Sequence, residues 1–199
     1  IRVSFLASGQ ANLAVDSRRF ARRLIDMGGQ GTVDSRFPIA GGHHQKFYIS
    51  FRPENDWEAV VGSADFFRAR WDTREHLAEN PQRPGGPTHD MSLAIRGPAT
   101  VDIAATFAER WNDLKSNKWT NPKITRALLE EVKNWPSEEG THSVQVLRTY
   151  PIMKSVRGYT WSDAGEFTVW ASYINAIKRA ETYIYIEDQY LYPLGDPPF

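Results

Sequence analysis

The sequence has 199 residues, which is enough for one sizeable domain or for one lobe of a larger enzyme. Its 24 basic residues are balanced by 24 acidic ones. This neutral balance argues against a nucleic-acid partner, because general nucleic-acid binders carry a strong basic excess. The absence of cysteine excludes disulfides, thiolate metal sites and cysteine nucleophiles. No apolar run reaches the roughly 20 residues that a transmembrane helix requires.

Strand-like and helix-like segments alternate along the chain. In chain order, the predicted elements are the strand Val3–Ala7, the helix Val15–Met27, the strand Lys46–Phe51, a turn at Arg52–Asp56, the strand Trp57–Val61, a long loop at Arg74–Thr88, the strand Met91–Ile95, the helix Thr100–Leu114, a helical piece near Ile124–Trp135, the strand Val144–Arg148, the helix Val169–Arg179 and the strand Thr182–Ile186. This alternation predicts an α/β fold, in which helices are layered on a central mixed sheet.

The residues best suited to chemistry are His44 and Lys46, which stand two apart at the start of a predicted strand. Residues i and i+2 of a strand face the same side. The imidazole and the ammonium are therefore expected in one pocket, with His43 and Gln45 facing the other way. Histidine can act as a nucleophile or a general acid near neutral pH, and lysine offers a compact positive charge to phosphate oxygens. Alone, His-x-Lys is a short pattern that often arises by chance.

Further segments follow the Gly41-Gly42-His43-His44-Gln45-Lys46 stretch in a fixed order. They are Gly62-Ser63-Ala64-Asp65-Phe66, Arg70 to Thr73, His89-Asp90, Ile95 to Ala99, Arg110-Trp111-Asn112 and Ile186-Glu187-Asp188-Gln189-Tyr190. A Gly-Ser pair at a strand end can place a hydroxyl and an N–H beside a phosphate. Taken together, the ordered segments resemble the phospholipase D superfamily, and its phospholipase branch in particular.

The resemblance implies a phospholipase D-like fold and a reaction that needs no metal or other cofactor. One histidine attacks the phosphodiester phosphorus to form a phosphohistidine, and a second protonates the leaving alcohol and later activates water. In this sequence, His44 matches the histidine commonly given the nucleophile role, and Lys46 matches the phosphate-binding lysine. Asp90 matches an acid that hydrogen-bonds the imidazole. Ser63 and Asp65 match the segment that contacts the phosphate.

Two departures from the family pattern bear on this prediction. The fifth residue after Lys46 is Phe51, where the family carries Asp, and the sequence has a single His-x-Lys, where the family site requires two. The other half of the site is therefore expected from a complementary second lobe or from a second chain. The first residue is Ile, and the end at Phe199 resembles a loop, so we expect part of a longer enzyme. Residues 1–140 are expected to form the first lobe, and residues 141–199 to begin the second.

The sequence therefore predicts a phospholipase D that hydrolyses the head-group phosphodiester of glycerophospholipids such as phosphatidylcholine at a membrane surface. A homodimeric phosphodiesterase or nuclease of the same superfamily is a second hypothesis, but the strongly basic groove that it needs is not evident. A catalytically inactive lipid-binding relative is a third, and Phe51 favours it. A secreted protein, or one peripheral to a membrane, fits the first hypothesis, although the sequence does not fix the compartment.

Overall fold

The structure, a computed structural model, describes residues 4–8, 14–38, 41–51, 57–114, 141–153 and 158–190. In chain order its elements are β1 (Ser4–Ser8), α1 (Ala14–Asp26), β2 (Gln30–Asp34), β3 (Phe47–Phe51), β4 (Trp57–Gly62), β5 (Ser92–Arg96), α2 (Thr100–Asp113), β6 (Thr149–Tyr150), β7 (Glu166–Phe167) and α3 (Thr168–Arg179). The predicted α/β class is confirmed. None of the described helices combines the length and the hydropathy that crossing a bilayer would require.

The described strands form three sheets. Strands β1 and β2 pair in parallel, β3, β4 and β5 form an antiparallel sheet in that order, and β6 pairs antiparallel with β7. Strands β3 and β4 are the predicted hairpin, whereas the predicted turn at Arg52–Asp56 and the helical piece near Ile124–Trp135 lie outside the described residues. Parallel and antiparallel pairing occur in separate sheets, rather than in one central mixed sheet, because no described pairing joins β2 to β3.

Helix α2 packs against the antiparallel sheet through Ile103 and Ala104. The two buried clusters contain Ala59, Ile95 and Ile103 in one and Trp57 and Ala104 in the other. Trp57 and Ala59 are two apart in β4 and therefore face the same side of the sheet. This layer fixes the end of the sheet at which Gly62 pairs with Ser92, and the candidate site lies at that end.

Helix α1 approaches β2 at a point that has no room for a side chain. A β-carbon on Gly31 would lie 2.9 Å from the Cα, Cβ and carbonyl oxygen of Ala21, a fully buried residue. Because backbone cannot move aside cheaply, Gly31→Ala is expected to lower the free energy of unfolding by about 1–3 kcal/mol. Urea denaturation measures this change.

The matched control is Gly86→Ala. Gly86 has no atom within 4 Å of an added β-carbon, so alanine there should be neutral or stabilising by at most about 1 kcal/mol. Equal stabilities for Gly31→Ala and wild type would contradict the close approach of α1 to β2.

Two predicted strands are wrong within the described residues. Val144–Arg148 does not pair, because the Arg148 N–H donates to Oγ1 of Thr168 at 2.8 Å and the ladder starts only at Thr149. Thr182–Ile186 has no strand partner in the part of the chain that the structure describes, and its large apolar side chains are exposed. A strand composition is not sufficient without a neighbouring strand to supply hydrogen bonds.

The described residues after position 140 contact the earlier part of the chain. Val146 packs against the cluster of Ala59, Ile95 and Ile103, and the Tyr159 hydroxyl donates to the Arg36 carbonyl at 2.7 Å. These contacts join residues on the two sides of the predicted boundary at residue 140. The division into lobes stays a prediction.

Candidate active site

Lys46 lies immediately before β3, at the end of the antiparallel sheet. The N–H of Gly62 donates to its carbonyl at 3.1 Å, which joins β3 to β4 at this end. The Lys46 side chain is 12% exposed, and its Nζ lies 3.4 Å from Oδ1 of Asp65. The same Nζ donates to the carbonyl oxygen of His44 at 3.1 Å. The ammonium is therefore held in place on both sides.

Ser63 and Asp90 meet because the exit from β4 and the entry to β5 are hydrogen-bonded to each other. The N–H of Ser63 donates to the carbonyl of Met91 at 2.9 Å, and the N–H of Met91 donates to Oγ of Ser63 at 3.0 Å. That hydroxyl in turn donates to Oδ1 of Asp90 at 2.8 Å. Glycine is required at the adjacent position, because a β-carbon on Gly62 would collide with Oγ of Ser92.

Arg70 connects these residues to Lys46. Its Nη2 donates to Oδ2 of Asp65 at 3.5 Å, and its Nη1 lies 3.9 Å from Oδ2 of Asp90. We call Lys46, Ser63, Asp65, Arg70 and Asp90 the site cluster. The sequence predicts the other four as site residues, whereas Arg70 enters the prediction only as part of a family-like segment. The sequence signal for Arg70 is its spacing of five residues from Asp65. So short a connection can bring the two side chains together.

The site cluster combines charges that suit a phosphate. Lys46 and Arg70 already hold carboxylate oxygens, and the non-bridging oxygens of a phosphodiester accept hydrogen bonds from the same donors. Within the described ranges, no group of three or more His, Asp or Glu side chains is placed to hold a metal ion. The cluster can therefore bind and polarise an anionic ligand through Lys46 and Arg70.

The His44 ring is not part of the site cluster. His44 is exposed, and its ring makes no hydrogen bond or ion pair to any residue that the structure describes. The expected contact with Asp90 is not formed, because the Asp90 carboxylate instead accepts from Ser63 and faces Arg70. The contact from Lys46 to the carbonyl of His44 brings the main chain of His44, but not its imidazole, to the cluster.

Phe51, which stands where the family pattern has Asp, lies at the opposite end of β3 from Lys46. Five residues of a strand span about 17 Å. The Phe51 ring packs edge-on against Trp57, its partner across the hairpin, with ring centroids 4.1 Å apart. Phe51, in place of the family Asp, therefore forms an apolar pair with Trp57 that lies far from the site cluster.

A buried charge network lies behind the His44–Lys46 segment. Asp34, at the end of β2, is fully buried. Its carboxylate accepts from Nε and Nη2 of Arg36 at 3.0 and 3.1 Å and from Nη2 of Arg110 at 3.3 Å. Nε2 of His43 lies 3.5 Å from the same carboxylate, and Arg36 also donates to Asp113. Sequence patterns do not predict this network, because Arg110 and Asp113 are far in the chain from Asp34, Arg36 and His43.

The network changes the protonation of Asp34. Burial alone would raise the pKa of this carboxyl, but the 3.5 Å contact with His43 and the hydrogen bonds from Arg36, with the charges of His43 and Arg110, outweigh burial. The pKa of Asp34 is therefore held well below its usual range. Asp34 is consequently a permanent anion at neutral pH, and it anchors the basic side chains around it.

Comparison with known proteins points to one family. The family model for phospholipase D matches residues 56–195, a range that begins after His44 and Lys46. The chain is 29% identical over 193 residues to phospholipase D alpha 4 of Arabidopsis thaliana, covering 79% of this chain and 24% of that protein. It is also 29% identical over 187 residues to phospholipase D A of Dictyostelium discoideum, covering 76% of this chain and 13% of that protein.

A human protein is similar over a shorter stretch. Phospholipase D1 of Homo sapiens is 29% identical over 119 residues, covering 57% of this chain and 11% of the human protein. The chain thus spans a quarter or less of the length of these curated relatives. The comparisons support an enzyme family of phosphodiester hydrolases, and the individual site residues stay predictions.

Proposed function

Because this chain belongs to the phospholipase D family, we propose that it provides half of an active site that hydrolyses the head-group phosphodiester of glycerophospholipids such as phosphatidylcholine. The observation that carries the proposal is the position of Lys46. Its ammonium contacts both the main chain of His44 and the carboxylate of Asp65, so the residue proposed as nucleophile is joined through its main chain to the phosphate-binding charge.

In the proposed reaction, a ring nitrogen of His44 attacks phosphorus, and the bond from phosphorus to the head-group oxygen breaks. A second histidine protonates that oxygen, so choline leaves with a neutral hydroxyl group. Water then attacks the phosphohistidine and gives its proton to the second histidine. Phosphatidate is released, and both histidines return to their starting states.

Lys46 and Arg70 stabilise the phosphate oxygens as negative charge develops on them. Asp65 acts through these two cations, because its carboxylate would repel a phosphate while holding both donors in place. Asp90 remains the proposed acceptor for the imidazole N–H of His44. To take that role, Asp90 must exchange its hydrogen bond from Ser63 for one from the ring.

The second histidine must come from outside this sequence, because His43, His76, His89 and His142 are not followed by lysine two residues later. We propose a complementary lobe or a second chain as its source, with a phospholipid at a membrane surface as substrate. Phe51 lies far from the site cluster and packs on Trp57, so its presence in place of Asp is compatible with activity.

The test is to incubate the complete gene product with phosphatidylcholine vesicles and to separate the products. Choline together with phosphatidate is expected. Phosphocholine would place the cleaved bond on the other side of phosphorus and contradict the proposal. Vesicle binding without product supports the inactive relative instead, and hydrolysis of an oligonucleotide rather than lipid supports the nuclease.

A further inference from the structure

The two residues that alternate with His44 and Lys46 make side-chain contacts with the rest of the protein. The His43 side chain is 9% exposed and lies between Phe37 and Tyr159, with ring centroids 5.8 and 6.3 Å away. Its Nε2 is 3.5 Å from the fully buried Asp34 carboxylate. One side of the segment is therefore fixed in an aromatic and anionic environment.

Gln45 forms the second attachment. Its Oε1 accepts from Nη1 of Arg110 at 3.1 Å, and its Nε2 donates to the Tyr150 hydroxyl at 3.4 Å. The Arg110 guanidinium also donates to Asp34 at 3.3 Å. A continuous chain of contacts thus joins β2, α2 and β6 to the residue between His44 and Lys46.

These side-chain contacts matter because the segment has little main-chain support. Residues 43–46 precede β3, and within the described ranges their backbone is tied by the hydrogen bond from Gly62 to Lys46. The His44 carbonyl accepts from Lys46, a contact internal to the segment. Rotation of the segment about its axis is therefore opposed by side-chain contacts, those of His43 and Gln45 together with the contact from Lys46 to Asp65.

We propose that Gln45 is a positioning residue, held by Arg110 and Tyr150, that sets the orientation in which His44 and Lys46 are presented to the substrate. The inference rests on the proposed function for its catalytic consequence. The anchoring itself is a property of the fold and is measurable without turnover. Arg110 belongs to the Arg-Trp-Asn segment, and the proposal gives that segment a physical connection to the His-x-Lys segment.

The test compares Gln45→Ala with Gln45→Glu in the complete gene product. Alanine removes the acceptor for Arg110, whereas glutamate keeps an acceptor and adds a charge-assisted hydrogen bond. Loss of one hydrogen bond to a charged group corresponds to about a tenfold change in an equilibrium. We therefore expect Gln45→Ala to lower kcat for choline release about tenfold with KM nearly unchanged, and Gln45→Glu to retain kcat near the wild-type value.

A second readout does not depend on activity. Trypsin cleavage after Lys46 requires the segment to open, so Gln45→Ala should speed this cleavage about tenfold, with cleavage after Arg179, at the end of α3, unchanged. Gln82→Ala, a change at an exposed glutamine in the loop before β5, is the matched control and should alter neither rate.

The outcomes separate the two proposals. Unchanged kcat and unchanged cleavage in Gln45→Ala would overturn the positioning role, as would a loss of thermal stability with a normal kcat in the folded fraction. Equal impairment of Gln45→Glu and Gln45→Ala would also overturn it, because an acceptor for Arg110 is then not what matters. If the wild-type protein releases no choline, the proposed function fails, and cleavage after Lys46 alone decides whether Gln45 anchors the segment.

Discussion

Replacing His44 with alanine is expected to abolish choline release, with kcat/KM falling by at least about 10³-fold. The charge of Lys46 can attract a phosphate, but it cannot replace the nitrogen that forms the bond to phosphorus. The His44 ring is exposed and makes no hydrogen bond or ion pair to the described residues, so the thermal midpoint should be unchanged. Initial rates of choline release and a thermal unfolding curve measure the two quantities.

The matched control for this change is His142→Ala. His142 is also exposed, and its Nδ1 lies 2.8 Å from the hydroxyl of its neighbour Thr141, so its removal should leave the rate at the wild-type value. Wild-type turnover in His44→Ala would remove His44 from the mechanism. Acid-labile phosphate on the wild-type protein during turnover, and its absence from His44→Ala, would identify the covalent step.

Asp34→Asn is expected to be strongly destabilising although it barely changes the shape of the side chain. It removes the fully buried anion that Arg36, Arg110 and His43 surround. Breaking a buried ion pair by neutralising one partner costs about 3–5 kcal/mol. Urea denaturation measures the loss, and the exposed Asp26→Asn in α1 should stay within about 0.5 kcal/mol of wild type. A loss in Asp34→Asn no larger than in this control would show that the network does not stabilise the fold.

The lowered pKa of Asp34 predicts how the free energy of unfolding depends on pH. The pKa of Asp34 is held well below its usual range in the folded protein, despite burial, by His43 and Arg36, and it rises to about 3.9 on unfolding. The stabilisation is therefore complete above the unfolded pKa and is lost as pH falls towards the folded pKa. Below about pH 4, the free energy of unfolding should fall more steeply for wild type than for Asp34→Asn. Parallel curves would contradict the assignment.

Local patterns predict the helices well because each helix carries its own signal. The predicted bounds of α1, α2 and α3 differ from the observed ones by a single residue at most, since apolar residues recur at helical spacing. Strand β2 escapes prediction because Gly31 interrupts a short, polar segment. Its pairing with β1 and its contact with Ala21 are tertiary interactions, and these override a weak local preference.

The candidate site is likewise predictable from the sequence only in part. The order of the segments predicts Lys46, Ser63, Asp65 and Asp90, and the structure brings these four side chains together. The order of the segments does not predict which atoms pair. In the structure, Asp90 contacts Ser63 rather than His44. The partners of Asp34 are spread from Arg36 to Arg110, and their pairing requires the whole arrangement of β2 and α2.

The alternation of charges in the site cluster has a consequence for selectivity. The positive charges of Lys46 and Arg70 are balanced by the negative charges of Asp65 and Asp90. The cluster without substrate therefore carries no net charge that would attract anions in general. Under the proposed function, a phosphodiester would enter by displacing the carboxylates of Asp65 and Asp90 from the donors that they already occupy. A bare inorganic anion would gain only what those carboxylates already provide, so discrimination in favour of the proposed lipid substrate would have to come from the parts of the lipid beyond its phosphate.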